Sequence, residues 1–105
     1  MTYLRKDIRG SWSAKDEIEL GANRVLSIST TKVSSGAIVT RAIVAVRDGA
    51  FLSHMMCRDF WKQLIVSQSR CTEKNVAAQH AEAMAQIDTV HSVVTAHYAK
   101  DLETV

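Results

Sequence analysis

The sequence predicts an α+β fold, in which an antiparallel β-meander sheet is followed by a C-terminal helix or helix pair. Three observations predict it. Short segments between residues 16 and 67 alternate apolar and polar side chains and are rich in β-branched residues. Asp48-Gly49 is the strongest hairpin signal, because a two-residue type I′ turn needs positive φ at both positions. After Thr72, apolar residues recur at helical spacing without an intervening Gly or Pro.

The 105 residues predict one domain, because a second would leave neither half a useful core. We expect an irregular N-terminal segment over 1–15, the sheet over 16–68 and the helical segment over 72–100. The composition is that of a folded globular chain rather than a disordered one. There is no run of 18 apolar residues and no secretion-signal pattern, which predicts a soluble intracellular domain.

The strands follow from alternation and from the turns between them. Alternation over 16–20 predicts a short strand, and Gly21-Ala22-Asn23 predicts a turn. A second alternating segment covers 24–31, and Ser34-Ser35-Gly36 supplies the next turn. The β-branched residues of 37–47 predict the strand that leads into Asp48-Gly49.

The strand after this hairpin has two interpretations at its far end. In the first, it begins at Ala50 and extends as far as Ser67. In the second, a helix begins at Asp59 and covers Phe60, Leu64 and Ile65.

Turn length predicts the register of both hairpins. A three-residue loop at 34–36 pairs Thr31 with Val39, Ser29 with Arg41 and Ser27 with Ile43. A two-residue loop at 48–49 pairs residue 47 with 50, 45 with 52, 43 with 54 and 41 with 56. The two registers agree on which residues share a face.

One predicted face is apolar and the other is polar and basic, as in an antiparallel sheet with one covered side. The apolar face comprises Leu26, Ile28, Ile38, Ala42, Val44, Val46, Phe51 and Met55. The polar face comprises Ser27, Ser29, Thr31, Arg41, Arg47, His54 and Arg58, with Lys62 if the strand continues.

The helical segment is predicted to begin after Thr72, a residue type that caps helices, with Glu73 in the first turn. Its stripe comprises Val76, His80, Ala83, Met84, Ile87, Val90, His91, Val94 and Tyr98. A single helix from Glu73 to Lys100 would be about 40 Å long, whereas a domain of this size is roughly 34 Å across. Either the helix breaks, with Asp88-Thr89 capping a second segment, or it packs onto another subunit. We favour the dimer.

The sequence predicts no metal site, no cofactor and no catalytic residue. His54, Cys57, Cys71 and His80 lack the paired spacing of structural zinc sites. His80 and His91 would lie about 16 Å apart on one helix, too far to share an ion. There is neither a G-x-S-x-G elbow nor a P-loop, so we expect no enzyme.

Charge is unevenly distributed along the chain. Residues 21–74 carry eight bases and three acids, whereas residues 75–105 carry one base and four acids. A basic middle region predicts a polyanionic partner, and the polar sheet face would offer cations to phosphates and hydroxyls to bases. An ordinary solvated sheet face is the alternative, since no Trp or Phe is firmly assigned to that side.

The element order resembles the coat proteins of single-stranded RNA bacteriophages. The resemblance rests on the strand Asn23 to Lys32, the strand Ala37 to Val46, the loop at Arg47-Asp48-Gly49, the long last strand and the helix opening at Thr72-Glu73. It covers roughly residues 16–100 and is one of pattern rather than of a diagnostic motif.

The resemblance implies a virion capsid protein: an interlocked homodimer that forms an icosahedral shell, assembled in the host bacterial cytoplasm as a virus-like particle. The inward sheet face would bind a hairpin of single-stranded genomic RNA through the polar-face residues named above. Helices lying across the partner's sheet would form the dimer interface, comprising Val76, His80, Met84, Ile87, His91, Val94 and Tyr98. No membrane partner is expected. The alternative is a small non-capsid, phage-type dimeric binding module for nucleic acid or an acidic protein.

Overall fold

A computed structural model describes residues 2–21, 23–48, 51–53 and 61–97. Within these residues the chain forms an antiparallel sheet followed by two helices, which confirms the α+β class. The elements are β1 (Tyr3–Lys6), β2 (Trp12–Gly21), β3 (Arg24–Lys32), β4 (Ile38–Asp48), β5 (Phe51–Ser53), β6 (Trp61–Ser67), α1 (Glu73–Met84) and α2 (Ile87–His97).

The sheet is a meander in which β1, β2, β3 and β4 are neighbours in sequence order. Both β5 and β6 pair with β4, along different stretches of it. They lie on the edge opposite β3, because Val46 pairs with Arg24 of β3 and also with Ser53 of β5. Of the predicted last strand, Phe51–Ser53 and Trp61–Ser67 are described as strands, and residues 54–60 lie outside the described residues.

The predicted register between β3 and β4 is confirmed, with Ser27 opposite Ile43, Ser29 opposite Arg41 and Thr31 opposite Val39. The predicted register of the following hairpin is wrong by two residues. Arg47 pairs with residue 52 rather than with residue 50, because Asp48 still belongs to the strand and pairs with Phe51. A shift of two residues leaves the assignment of faces unchanged.

The prediction of an irregular segment over residues 1–15 is wrong, because β1 and the first part of β2 form a hairpin there. Asp7 shapes its turn: one carboxylate oxygen, Oδ1, accepts hydrogen bonds from the backbone N–H of Arg9 at 2.8 Å and of Ser11 at 2.9 Å. Gly10 completes the turn at φ +87°, a conformation that other residues adopt only with strain. Strand β2 consequently begins at Trp12 rather than at residue 16.

Leu64 and Ile65 lie in β6, so the alternative helix is wrong over residues 61–67, while Asp59 and Phe60 lie outside the described residues. The register between β4 and β6 shifts by one residue, since Thr40 pairs with Ile65 whereas Arg41 pairs with Gln63. The extra residue is a β-bulge, which reverses the alternation of side chains beyond it.

The helical segment is a pair of helices rather than one long helix. The Thr72 side chain accepts the backbone N–H of Asn75 at 3.2 Å, which confirms the predicted N-cap. The first helix ends at Met84 and the second begins at Ile87, before the predicted cap at Asp88-Thr89. No helix in the described part of the chain is long and apolar enough to cross a membrane.

Both helices pack on the same side of the sheet, which we call the helix face. One cluster there joins α2 to the centre of the sheet and comprises Leu26, Ile28, Ala42, Val44, Val90 and Val94. A second joins α1 to the sheet and comprises Ala14, Ile38 and Val76. Of the predicted apolar face, Val46 is half-buried; the side chain of Phe51 and all of Met55 lie outside the description.

This packing corrects the reasoning from helix length. Val76, His80 and Val94, assigned above to a dimer interface, are 0 %, 1 % and 0 % exposed within the single chain. Met84, Ile87 and His91 are half-buried, and Tyr98 lies outside the described residues. Because the segment breaks and folds over its own sheet, its length no longer calls for a second subunit.

Candidate nucleic-acid interface

The side of the sheet opposite the helices, which we call the open face, carries a continuous row of polar side chains. The register of the sheet pairs Tyr3 with Lys15, Lys15 with Ser29, Ser29 with Arg41 and Arg41 with Gln63. Paired residues point to the same face, so these five residues form a cross-strand row. At about 4.8 Å between neighbouring strands, the row is about 19 Å long.

The row combines the three kinds of contact that single-stranded nucleic acid uses. Tyr3, at the β1 edge, is 62 % exposed and offers a ring on which a base can stack. Lys15 and Arg41 place positive charge in the row, and both are half-buried. Ser29 and Gln63 supply hydroxyl and amide groups that can hydrogen-bond to bases or to the backbone.

Charge changes sign along the open face. Arg5, opposite Ser13, extends the positive charge beyond the row toward the β1–β2 turn. In the other direction β2 carries Glu17, opposite Ser27, and Glu19, opposite Val25. Over the described side chains, a polyanion is therefore attracted to the half of the face that contains the cross-strand row and is repelled by the half that carries Glu17 and Glu19.

The structure brings together only part of the predicted polar set. Ser29, Thr31 and Arg41 lie half-buried on the open face. Ser27 lies on the same face but is only 3 % exposed, and Val25 and Ala45 beside it on that face are both 0 % exposed. Burial makes it unsuitable as a direct contact.

The remaining predicted residues are placed differently or not described. Lys62 is exposed but pairs with Ala42, so the bulge in β6 puts it on the helix side of the sheet rather than on the open face. The backbone of Arg47 is paired with Leu52, and its side chain is not described. His54 and Arg58 lie outside the described residues.

Sequence reasoning missed Tyr3, Lys15 and Gln63. The first two belong to the N-terminal hairpin, whose turn is made by Asp7 and Gly10 rather than by an adjacent turn dipeptide. Alternation of Tyr3 and Arg5, followed by such a turn, was the available signal. Gln63 reaches the open face only because of the bulge, which alternation does not reveal.

Beneath α1, on the helix face, a chain of buried hydrogen bonds joins the helix to three strands. His80 Nε2 lies 2.7 Å from Asp16 Oδ2, and His80 Nδ1 lies 2.8 Å from the hydroxyl of Thr30. The Thr30 and Thr40 hydroxyls are 2.7 Å apart. The Asp–His–Thr order matches that of a catalytic triad, but Thr30 is 0 % and His80 1 % exposed, so this cluster is closed to a substrate.

Gln79, the neighbour of His80 on α1, continues the chain toward β6. Its amide nitrogen donates to the carbonyl of Ile38 at 3.0 Å and to the hydroxyl of Thr40 at 3.2 Å. Its carbonyl accepts from the hydroxyl of Ser67 at 2.6 Å. These bonds fix the position of α1 and keep the buried polar atoms hydrogen-bonded.

Among the described residues, no three His, Cys, Asp or Glu side chains gather as potential metal ligands. Neither a family model, nor a curated protein, nor a solved structure matches the chain.

Proposed function

We propose that the chain is the coat-protein subunit of an RNA bacteriophage, which assembles into an icosahedral shell and binds single-stranded genomic RNA on the open face. The observation that carries the RNA-binding part is the cross-strand row, an aromatic ring with cations and hydrogen-bonding groups on the face that the helices leave open. The coat assignment rests on the resemblance in element order, a meander followed by two helices.

The row favours single-stranded RNA over a duplex. A flat antiparallel face lets splayed bases lie on it, with stacking on Tyr3 and phosphates beside Lys15. Double-stranded RNA is instead recognised mostly by its shape, through 2′-hydroxyl and phosphate contacts across the minor groove. Among the described side chains of the open face, the positive charges of Arg5, Lys15 and Arg41 lie at or beside the cross-strand row, which favours a strand placed over that half.

Shell formation needs surfaces that join subunits, and the sheet has an edge suited to this. All four residues of β1 are exposed, including Leu4 at 42 %. An exposed edge strand presents unpaired backbone groups to another chain. If the backbone groups of β1 pair with an edge strand of another copy, this edge becomes a contact between subunits of the shell.

The alternative function, a discrete nucleic-acid-binding module, is favoured by one observation. The apolar stripe of α1 and α2 is covered by the sheet of the same chain, with Val76 and Val94 both 0 % exposed. A chain packed in this way buries its helices without a partner, so it can act as a small independent unit.

The discriminating experiment is to express the full chain alone and to separate it by size-exclusion chromatography with negative-stain imaging of the leading fraction. Closed particles with a 260 nm absorbance excess support the coat function. A monomer or dimer that binds oligouridine favours the binding module. Absence of both particles and RNA binding would contradict both functions.

A matched pair of variants tests the open face. Lys15→Ala removes one cation from the cross-strand row, so the salt dependence of RNA affinity should weaken by about 0.7 in the log–log slope. Lys74→Ala is the control, because Lys74 is exposed in the first turn of α1, on the other side of the sheet. Equal slopes for both variants would contradict the assignment of this face.

A further inference from the structure

An open cleft of about 620 Å³ lies at one end of the sheet, between the β1–β2 turn and the β3–β4 turn. It is separate from the cross-strand row, none of whose five residues lines it. Its polar lining includes Arg5, Arg9, Ser11, Ser13, Thr31 and Lys32.

The cleft has a positive balance of charge. Arg5, Arg9 and Lys32 line it, against one carboxylate, Asp7. Hydrogen bonds from the backbone N–H groups of Ser11 and Arg9 hold the pKa of Asp7 below its usual value, and they outweigh the smaller opposing effect of desolvation. Asp7 therefore stays ionised but is already engaged by its own turn.

The donors of the cleft fit a phosphate group. Guanidinium groups bind phosphate oxygens through paired hydrogen bonds, and Lys adds a point charge. The hydroxyls of Ser11, Ser13 and Thr31 can donate to the remaining oxygens. A metal cation would be repelled by three positive side chains, and an apolar ligand would find only Trp12 and Val33 as large apolar surface.

The cleft also continues the path of the cross-strand row. Arg5, in its lining, is two residues beyond Tyr3 on β1, and both pair with β2 on the open face. Two residues of a strand span about 7 Å, so one ligand can reach both places.

We infer that this cleft binds a backbone phosphate of the same RNA strand that lies on the cross-strand row. The inference rests on the proposed function, since it extends the RNA footprint from the sheet face to the two turns. Arg9 and Lys32 belong to the cleft alone, so their removal separates this contact from the row.

The test uses the full chain and a short fluorescein-labelled oligouridine, with affinity measured by fluorescence anisotropy over a range of salt concentrations. The double variant Arg9→Ala/Lys32→Ala should weaken binding and reduce the log–log salt slope by about 0.7, which corresponds to the one phosphate held in the cleft. The control is Lys62→Ala/Lys74→Ala, which removes two exposed cations outside both the cleft and the row. Its slope should equal that of the unaltered chain.

Each outcome has a separate meaning. If the unaltered chain does not bind the oligonucleotide, the proposed function and this inference both fail. If it binds but the cleft variant keeps the full slope, the inference alone fails. Thermal unfolding checks that the variant is folded, and Arg9→Gln/Lys32→Gln replaces it under the same criterion if it is not.

A titration with inorganic phosphate is followed by the amide NMR signals of Gly10 and Ser34. It distinguishes a cleft that binds a phosphate of RNA from one that binds only a free anion. Phosphate-induced shifts together with a reduced RNA slope support the inference. The same shifts with an unchanged RNA slope would identify a small-anion site and overturn it.

Discussion

His80 Nε2 and Asp16 Oδ2 lie 2.7 Å apart although 64 residues separate them in the chain. An ionised carboxylate can only accept, so Nε2 donates to Asp16, while Nδ1 on the other side of the ring is hydrogen-bonded to the hydroxyl of Thr30 at 2.8 Å. Asp16 is also bonded by the hydroxyl of Thr2 at 2.6 Å. This one contact therefore ties α1 to β2 and, through Thr2, to the start of the described chain.

The first prediction concerns acid stability. Burial raises the pKa of Asp16, but hydrogen bonds from Thr2 and His80 outweigh it and hold that pKa below its usual value. A lowered folded pKa adds stability that is present above the unfolded pKa, near 3.8, and is lost as pH falls through the folded value. Asp16→Asn should therefore cost about 2–3 kcal/mol near neutral pH and progressively less in acid.

Urea unfolding between neutral and strongly acid pH measures this difference. Glu82→Gln is the control, because Glu82 is exposed on α1. A deficit of Asp16→Asn that stays constant down to the lowest pH would contradict the prediction.

The second prediction concerns the paired threonines of the helix face. Thr30→Val keeps the shape of the side chain but removes the hydroxyl that lies between His80 Nδ1 and Thr40. We expect a loss of about 1–3 kcal/mol, because buried partners are left without a hydrogen bond. Thr31→Val, half-buried on the open face, should change stability by less than about 0.5 kcal/mol.

Combining Thr30→Val with Thr40→Val should cost less than the two single losses together, because both remove the same bond. Chemical denaturation of the four proteins gives the coupling energy. Strict additivity would show that the two hydroxyls act independently.

The third prediction uses neighbouring valines of α2. Val94 is 0 % exposed and packs in the cluster with Leu26, whereas Val93 is 47 % exposed. Val94→Ala should cost about 2 kcal/mol through lost burial and a residual cavity, and Val93→Ala far less. Chemical denaturation of both variants and of the unaltered chain measures the two losses. Equal losses at the two positions would contradict the packing of Val94 against Leu26.

The fourth prediction concerns Tyr3, at the exposed end of the cross-strand row. Tyr3→Ala should weaken oligouridine binding by about 1–3 kcal/mol through loss of base stacking. Tyr3→Phe keeps the ring and should retain most of the affinity. If Phe binds as weakly as Ala, the hydroxyl rather than the ring makes the contact.

Alternation and turn length predicted the centre of the sheet well. The β3–β4 register was predicted correctly because the turn is short and the alternation on both strands is unbroken. The next hairpin was displaced by two residues, since Asp48 takes part in the strand rather than in the loop. Alternation of apolar and polar residues does not show whether a residue such as Asp48 ends the strand or begins the loop.

Other features had no counterpart in the pattern. The bulge in β6, opposite Thr40 and Arg41, depends on pairing between strands, and the break after Met84 has neither Gly nor Pro to mark it. The buried bonds of Thr30 and Gln79 were missed because polar residues count against a core position in any hydropathy pattern. For the site, hydroxyls and cations of β3 and β4 were predictable, whereas the edge contributed by the N-terminal hairpin was not.

The hydrogen-bond chain beneath α1 has a consequence for the order of events during synthesis. The hairpins of the sheet join residues close in sequence, so they can form as soon as they leave the ribosome. Thr30 and Thr40 then meet across two strands while His80 and Gln79 are still inside the ribosome, and water must satisfy the threonine hydroxyls. The helix face of the sheet is therefore hydrated at first, and water is excluded from it only when α1 emerges and packs against it.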